Sequence, residues 1–269
     1  MNAERYFGLI HREIFCSGFD FSSVLFPLSE HQNHIGAGAV TSAGFLLLVH
    51  SNPIYSQLNN VFLMKILIDN GHGIDTKGKR SPYALNGTKP ELDFYEYKWN
   101  REIAGPVVDE LINRGYDAEL IVPEEQDISL SIRAQRVNAI CDELGKNNVI
   151  LVSIHSNAAG NGSEWMTAQG WSAYTSPGQT SSDKLAEHLY KAAEEILIGK
   201  KIRTDCSDGD KDWESNLYIL KKTKCAAVLT ENFFYDNPED CAYLLSDEGK
   251  EAIIKVHVEG IISYLKSIE

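Results

Sequence analysis

The sequence predicts an α/β fold: a single layered domain whose mostly parallel or mixed central sheet is flanked by helices. Short apolar, β-branched runs recur from Met64 onward, and amphipathic helical patterns alternate with them. The composition, 43% hydrophobic and 23% charged over 269 residues, is that of a chain able to bury one good core.

Taken in order, Lys65-Ile66-Leu67-Ile68-Asp69 reads as a short buried strand. Tyr95 to Arg114 reads as a helix, with Trp99, Ile103, Val107 and Leu111 on one face and Gly115 as its stop. Ala118 to Val122 is the next strand. Ser129 to Leu144 follows as a helix with Leu130, Ala134, Val137, Cys141 and Leu144 on one stripe, ending at Gly145. Asn148 to Ile154 is a strong strand and Trp171 to Thr175 a weaker one. Asp183 to Ile198 is helical, with Leu185, Leu189, Ala192 and Ile196 in register. Ala226 to Thr230 is a further strand, and Asp247 to Lys266 a last helix carrying Ile253, Val256, Ile261 and Leu265.

Residues 1–63 differ in kind. They contain no lysine, whereas residues 65–269 contain 17, and from His31 to Met64 there is no Asp, Glu, Lys or Arg. The mostly apolar run Ile35 to Val49 is shorter than the roughly 18–20 residues of a spanning helix, and no basic cluster precedes it. Residues 1–63 therefore form a leader of uncertain status, and three readings stay open: an upstream extension from a wrong start, with Met64 as the first residue; a signal or membrane anchor; or a small accessory domain or disordered extension. The domain that carries function is expected at 64–269.

Charge and cysteines exclude other classes. The net charge of −13 speaks against nucleic acid as a partner, because a phosphate backbone is met by clustered Lys and Arg. Five cysteines without a CxxC pair speak against a disulfide framework or a cysteine zinc knuckle.

Three strands are followed closely by residues able to bind a metal or move a proton: His72 after ILID, His155 after VILVSI, and Glu231 after AVLT. Ligands in open α/β sheets bind beyond the carboxyl ends of the strands. If the three strands are parallel neighbours, these side chains share one crevice. Two histidines with a carboxylate suit a catalytic zinc site, and a further carboxylate suits a general base. Taken singly, each residue also has a plain structural reading, a hydrogen-bonded histidine or a surface acid. Gly71 and Gly73 favour a site, because glycine lets the backbone turn tightly there. His188 and His257 fall within helical patterns and read as structural.

From Met64 on, the chain resembles the zinc-dependent N-acetylmuramoyl-L-alanine amidases of the type 3 amidase family of cell-wall hydrolases. The blocks are ILIDNGHG (66–73), Glu96-Tyr97-Lys98-Trp99-Asn100 with Ile103-Ala104, the set Asp127, Leu130, Arg133 and Asn138, SIHSNAA (153–159) and LTENFFYDN (229–237). The resemblance implies that His72, Glu96 and His155 bind zinc (Zn2+) and that Glu231 is the general base, with Glu91 as a rival third ligand. It implies a peptidoglycan hydrolase that cleaves the amide between N-acetylmuramic acid and L-alanine with a zinc-activated water. The site of action would be the bacterial cell wall, in the periplasm or outside the cell, with no convincing signal peptide to mark the route. The alternatives are another zinc-dependent amide hydrolase or peptidase, and a non-catalytic wall-binding protein of the same fold. No protein partner is evident.

Two positions depart from the family pattern. Ile74 stands where a second glycine usually follows His-Gly, and Phe233 replaces the glycine after the catalytic glutamate. Both substitutions are expected to alter the backbone's approach to substrate. Trp165, Trp171 and Tyr174 read either as stacking platforms or as packing residues. Asp205 to Glu214 reads as a solvated acidic loop with a substrate-rim role as the alternative.

Overall fold

The computed structural model describes residues 64–82 and 90–269. The readings of residues 1–63 lie outside it. The described chain forms β1 (Lys65–Asn70), α1 (Glu96–Asn113), β2 (Asp117–Leu120), α2 (Leu130–Leu144), β3 (Val149–Asn157), β4 (Ser172–Thr175), α3 (Ser181–Ile196), β5 (Trp213–Glu214), α4 (Tyr218–Lys222), β6 (Ala226–Phe234), α5 (Pro238–Leu245) and α6 (Asp247–Ile268). The strands make one six-stranded sheet in the order β2-β1-β3-β6-β4-β5. β2, β1, β3 and β6 run parallel; β4 is antiparallel to β6, and β5 parallel to β4. The sheet is therefore mixed, as the sequence predicts.

Alternation along each strand builds two cores. Ile66, Ile68, Ile150, Val152, Ile154 and Val228 face one way and pack with α1, α3 and α6. Leu67, Leu151, Ala227 and Leu229 face the other way and pack with α2 and α4. Strands buried on both faces read as continuous apolar runs, as these do.

The helices start where local chemistry tells them to. Ser129 accepts from the Ile132 N–H at the head of α2, and Gly145 ends that helix at φ 88°. Thr180 and Asp183 form a capping box on α3, and Asn237 caps α5 with Pro238 in its first turn. Two ends of the stripe predicted for α2 do not join the core: Leu130 is 50% exposed and Leu144 is 42% exposed. They sit at the first and last turns, beyond the sheet that covers Ala134, Val137 and Cys141.

Two strands run further than predicted. β3 continues through His155 to Asn157, and β6 through Glu231 to Phe234. The polar residues end the apolar run, but ladder hydrogen bonds need only backbone, and the two strands stay paired there with an irregularity between His155 and Asn157. Among the described residues no helix is long and apolar enough to cross a membrane.

Candidate metal centre

β1, β3 and β6 lie side by side and parallel, so their carboxyl ends open onto one place. His72 follows β1, while His155 and Glu231 are direct register partners on β3 and β6. Glu96 is the first residue of α1 and is 1% exposed. Its Oε1 lies 3.0 Å from His155 Nδ1 and its Oε2 lies 3.3 Å from His72 Nε2. The Ser156 N–H also donates to Oε1. The two imidazoles meet edge to face at 4.9 Å. Ligand atoms of His72, Glu96 and His155 all lie within 4.8 Å of one another, close enough to hold one metal ion. Glu91 is exposed and stands outside this group.

The chemistry of the donor set suits zinc. Two imidazoles and a carboxylate are a known catalytic zinc ligand set. Glu96 Oε2 is buried, yet it accepts no well-formed hydrogen bond, and a cation would satisfy it. Burial alone would raise the Glu96 pKa, but the hydrogen bond to His155 and the adjacent His72 imidazole outweigh it and hold the carboxyl well below the usual carboxylate range. A carboxylate whose ionised form is favoured, set between two imidazoles, fits a divalent cation.

Tight backbone turns bring the ligands together. A Cβ on Gly71 would sit 2.1 Å from the His155 ring, and one on Gly73 would sit 2.0 Å from the Asp127 backbone nitrogen. Neither glycine can be replaced without moving the site. Between them His72 takes φ 64°, in the left-handed region that costs a non-glycine residue of order 1 kcal/mol. Hydrogen bonds hold that conformation. Arg133, 2% exposed, donates to Asp69 Oδ1, to the carbonyls of Asn70, His72 and Ile128, and to Asp127 Oδ1. Arg101 donates to the same His72 carbonyl at 3.1 Å and to the Glu124 carbonyl. Asn100, one turn after Glu96, donates to the Gly71 carbonyl. The spacing Glu96–Asn100 thus puts a candidate ligand and a loop anchor on one helix face. Asn138, from the same block as Arg133, bonds the Lys222 carbonyl and the Lys224 N–H, fixing the turn that leads into β6.

Glu231 differs from Glu96. Its Oε2 is shielded from solvent and has no hydrogen-bond partner. Burial pushes its pKa up to about 7, with His155, Lys79 and Arg203 favouring the ionised form and Glu96 opposing it. A carboxyl poised there can take and return a proton near neutrality. Asn232 donates to the His155 carbonyl and accepts from the Trp171 indole, tying β6 to β3 and β4. Asp236 receives the N–H groups of Ala159 and Gly160 and fixes the loop after β3.

The two departures have different outcomes. Phe233 keeps a left-handed backbone, φ 62°, at the place where the glycine is missing. Its ring turns into the core, 1% exposed and 5.3 Å from the Tyr243 ring. Ile74 is 52% exposed on the rim. Trp171 is fully buried and meets the Tyr190 ring edge to face, so it packs and cannot serve as a platform. The acidic loop is solvated apart from Asp212, which is buried against Thr175. His257 is buried between the Ile253 carbonyl and the Thr230 hydroxyl, and His188 meets Ser263. Lys79, Arg101 and Arg203 were not singled out from sequence, because each acts through segments distant along the chain.

An α/β sheet with two histidines and a buried carboxylate at its strand ends, and a second carboxylate beside them, has the layout of a metal-dependent hydrolase. Residues 66–263 match the N-acetylmuramoyl-L-alanine amidase family, Amidase_3, and the chain belongs to it. An endolysin of Bacillus phage SPP1 is 32% identical over 204 residues, covering 74% of this chain and 65% of the relative. The N-acetylmuramoyl-L-alanine amidase CwlM of Bacillus licheniformis is 27% identical, covering 74% and 68%. The crystal structure of N-acetylmuramoyl-L-alanine amidase from Clostridium difficile 630 superposes with a TM-score of 0.60 at 25% identity, covering 77% of this chain and 98% of that one. The chain thus aligns with just under two thirds of the phage endolysin's own length.

Proposed function

We propose that the protein is a zinc-dependent N-acetylmuramoyl-L-alanine amidase that acts on peptidoglycan at the cell wall, with residues 64–269 as its catalytic unit. The observation that carries this reading is the convergence of His72, Glu96 and His155 within 4.8 Å, beside Glu231 with its buried, unpartnered Oε2, in a chain of this family.

His72, Glu96 and His155 would hold the zinc, and Glu231 would be the general base. Bound there, zinc would polarise the scissile carbonyl and acidify a water molecule. Glu231 removes the proton from the attacking water. Its pKa of about 7 lets it then deliver that proton to the leaving amine of L-alanine. Arg133, Arg101 and Asn100 keep His72 and Gly71 from relaxing as charge moves in the site. Lys79, its Nζ 3.8 Å from Glu96 Oε2, adds positive charge beside the candidate ligands.

Metal exchange tests the reading. The full-length protein treated with a chelator should lose activity on purified peptidoglycan and regain it with zinc. Separately, H155A should retain less than one zinc per chain after dialysis. Unchanged activity after complete metal removal would refute it.

A further inference from the structure

Arg203 stands apart from the other buried or half-buried arginines. Its guanidinium carbon lies 5.1 Å from the Trp213 ring centre and 5.0 Å from that of Phe234. Both distances are within the roughly 6 Å range of a cation–π contact. Its backbone is fixed as well. Its N–H donates to the Trp171 carbonyl, and its own carbonyl accepts from the Tyr190 hydroxyl. Gly170, at φ 110°, leaves room for the arginine stem, since a Cβ there would sit 3.1 Å from Arg203 Cγ and 2.7 Å from the Lys201 carbonyl.

Position links this arginine to the site. Trp171 and Ser172 neighbour β6, where Ser172 is the register partner of Glu231, and Arg203 lies close enough to Glu231 to favour its ionised form. Phe234, one of the two rings, closes the same strand three residues after Glu231. Yet among the described residues the guanidinium forms no ion pair and donates no hydrogen bond. Arg133, Arg136 and Arg114 all engage carboxylates. Arg203 is therefore ordered by stacking, and its planar fork is left open. A fork of this kind matches a carboxylate in bidentate geometry.

We propose that Arg203 forms a carboxylate-binding subsite beside Glu231, which takes an acidic group on the peptide side of the scissile amide. The inference rests on the amidase reading and deepens it. In a stem peptide the residue after L-alanine carries either a free α-carboxylate or its carboxamide. The subsite discriminates between them, so unamidated wall is the better substrate.

The test is isothermal titration of the full-length chain carrying E231Q, which binds without turnover. The probes are N-acetylmuramoyl-L-alanyl-D-isoglutamate and its isoglutamine counterpart. With Arg203 in place the acid should bind about tenfold tighter, the scale of one charge-assisted contact. R203Q should abolish that preference and R203K should keep part of it, while thermal melting verifies that each variant is folded. A purely structural arginine would weaken both probes equally. Equal binding of the two probes in the presence of Arg203, or a preference that survives R203Q, overturns the subsite. If neither probe binds to a protein that digests wall, the subsite falls and the amidase reading stands. A wild-type protein that releases no stem peptide, but shows a preference lost in R203Q, keeps the subsite and removes the amidase reading.

Discussion

Two arginines flank the candidate centre and are used in opposite ways. Arg133, on the β1 side, is 2% exposed and spends its guanidinium on five hydrogen bonds to Asp69, Asp127 and three carbonyls, one of them that of His72. Arg203, on the β6–β4 side, has its guanidinium held by two rings, and that group bonds no acceptor among the described residues. On the proposals above, the contrast divides the site into a side that fixes the candidate ligands and a side left open to substrate. A saturated guanidinium rigidifies what surrounds it. One that is stacked but unsaturated is preorganised for an outside anion.

The largest expected effect comes from breaking the saturated side. R133M leaves Asp69, 1% exposed, without its 2.6 Å partner. Breaking one half of a buried pair costs about 3–5 kcal/mol, readable as a lower urea midpoint. Adding D69N should restore part of that loss, because the stranded charge is gone. A midpoint unchanged by R133M would mean the cluster does not support the fold.

Phe233 probes the other side. F233G relieves a left-handed backbone but removes a buried ring, so the ring should dominate, with a net loss of about 2–4 kcal/mol in denaturant unfolding. Stabilisation by F233G would mean that the strain outweighs the packing.

His257 gives the β6 side a pH signature. Burial lowers its pKa to about 4, below the ordinary value of about 6.5. The unfolded chain therefore binds the extra proton first. This contribution is fully present above pH 6.5 and is lost as pH falls towards 4, up to about 3 kcal/mol. Unfolding midpoints at pH 7 and pH 4.5 should differ less in H257Q than in the wild type.

R203Q should have the smallest effect on stability, about 1 kcal/mol, since only stacking is lost. A loss as large as that of R133M would erase the proposed division.

Much of this arrangement is legible in the sequence, for identifiable reasons. β1, β3 and β6 carry apolar runs that give out just before His72, His155 and Glu231, so the runs mark the candidate chemistry even though β3 and β6 continue past it. Glu96 needed the spacing to Asn100, whose purpose emerges only when Asn100 reaches the Gly71 carbonyl. β5 has two residues and α4 five, too few for any period to register. Arg203 looks like any loop arginine until Phe234, 31 positions on, comes over it. Phe233 reads in sequence as a lost glycine, but the left-handed turn survives and the ring is absorbed by the core.

The central claim is hydrolysis at the lactyl–alanine bond with Glu231 moving the proton. The most direct measurement is mass spectrometry of peptidoglycan digested by the full-length protein and by E231Q. The account predicts stem peptides with a free L-alanine amine from the wild type, and at least about a hundredfold less from folded, zinc-loaded E231Q. Fragments cut elsewhere in the peptide, or equal release by E231Q, would contradict it.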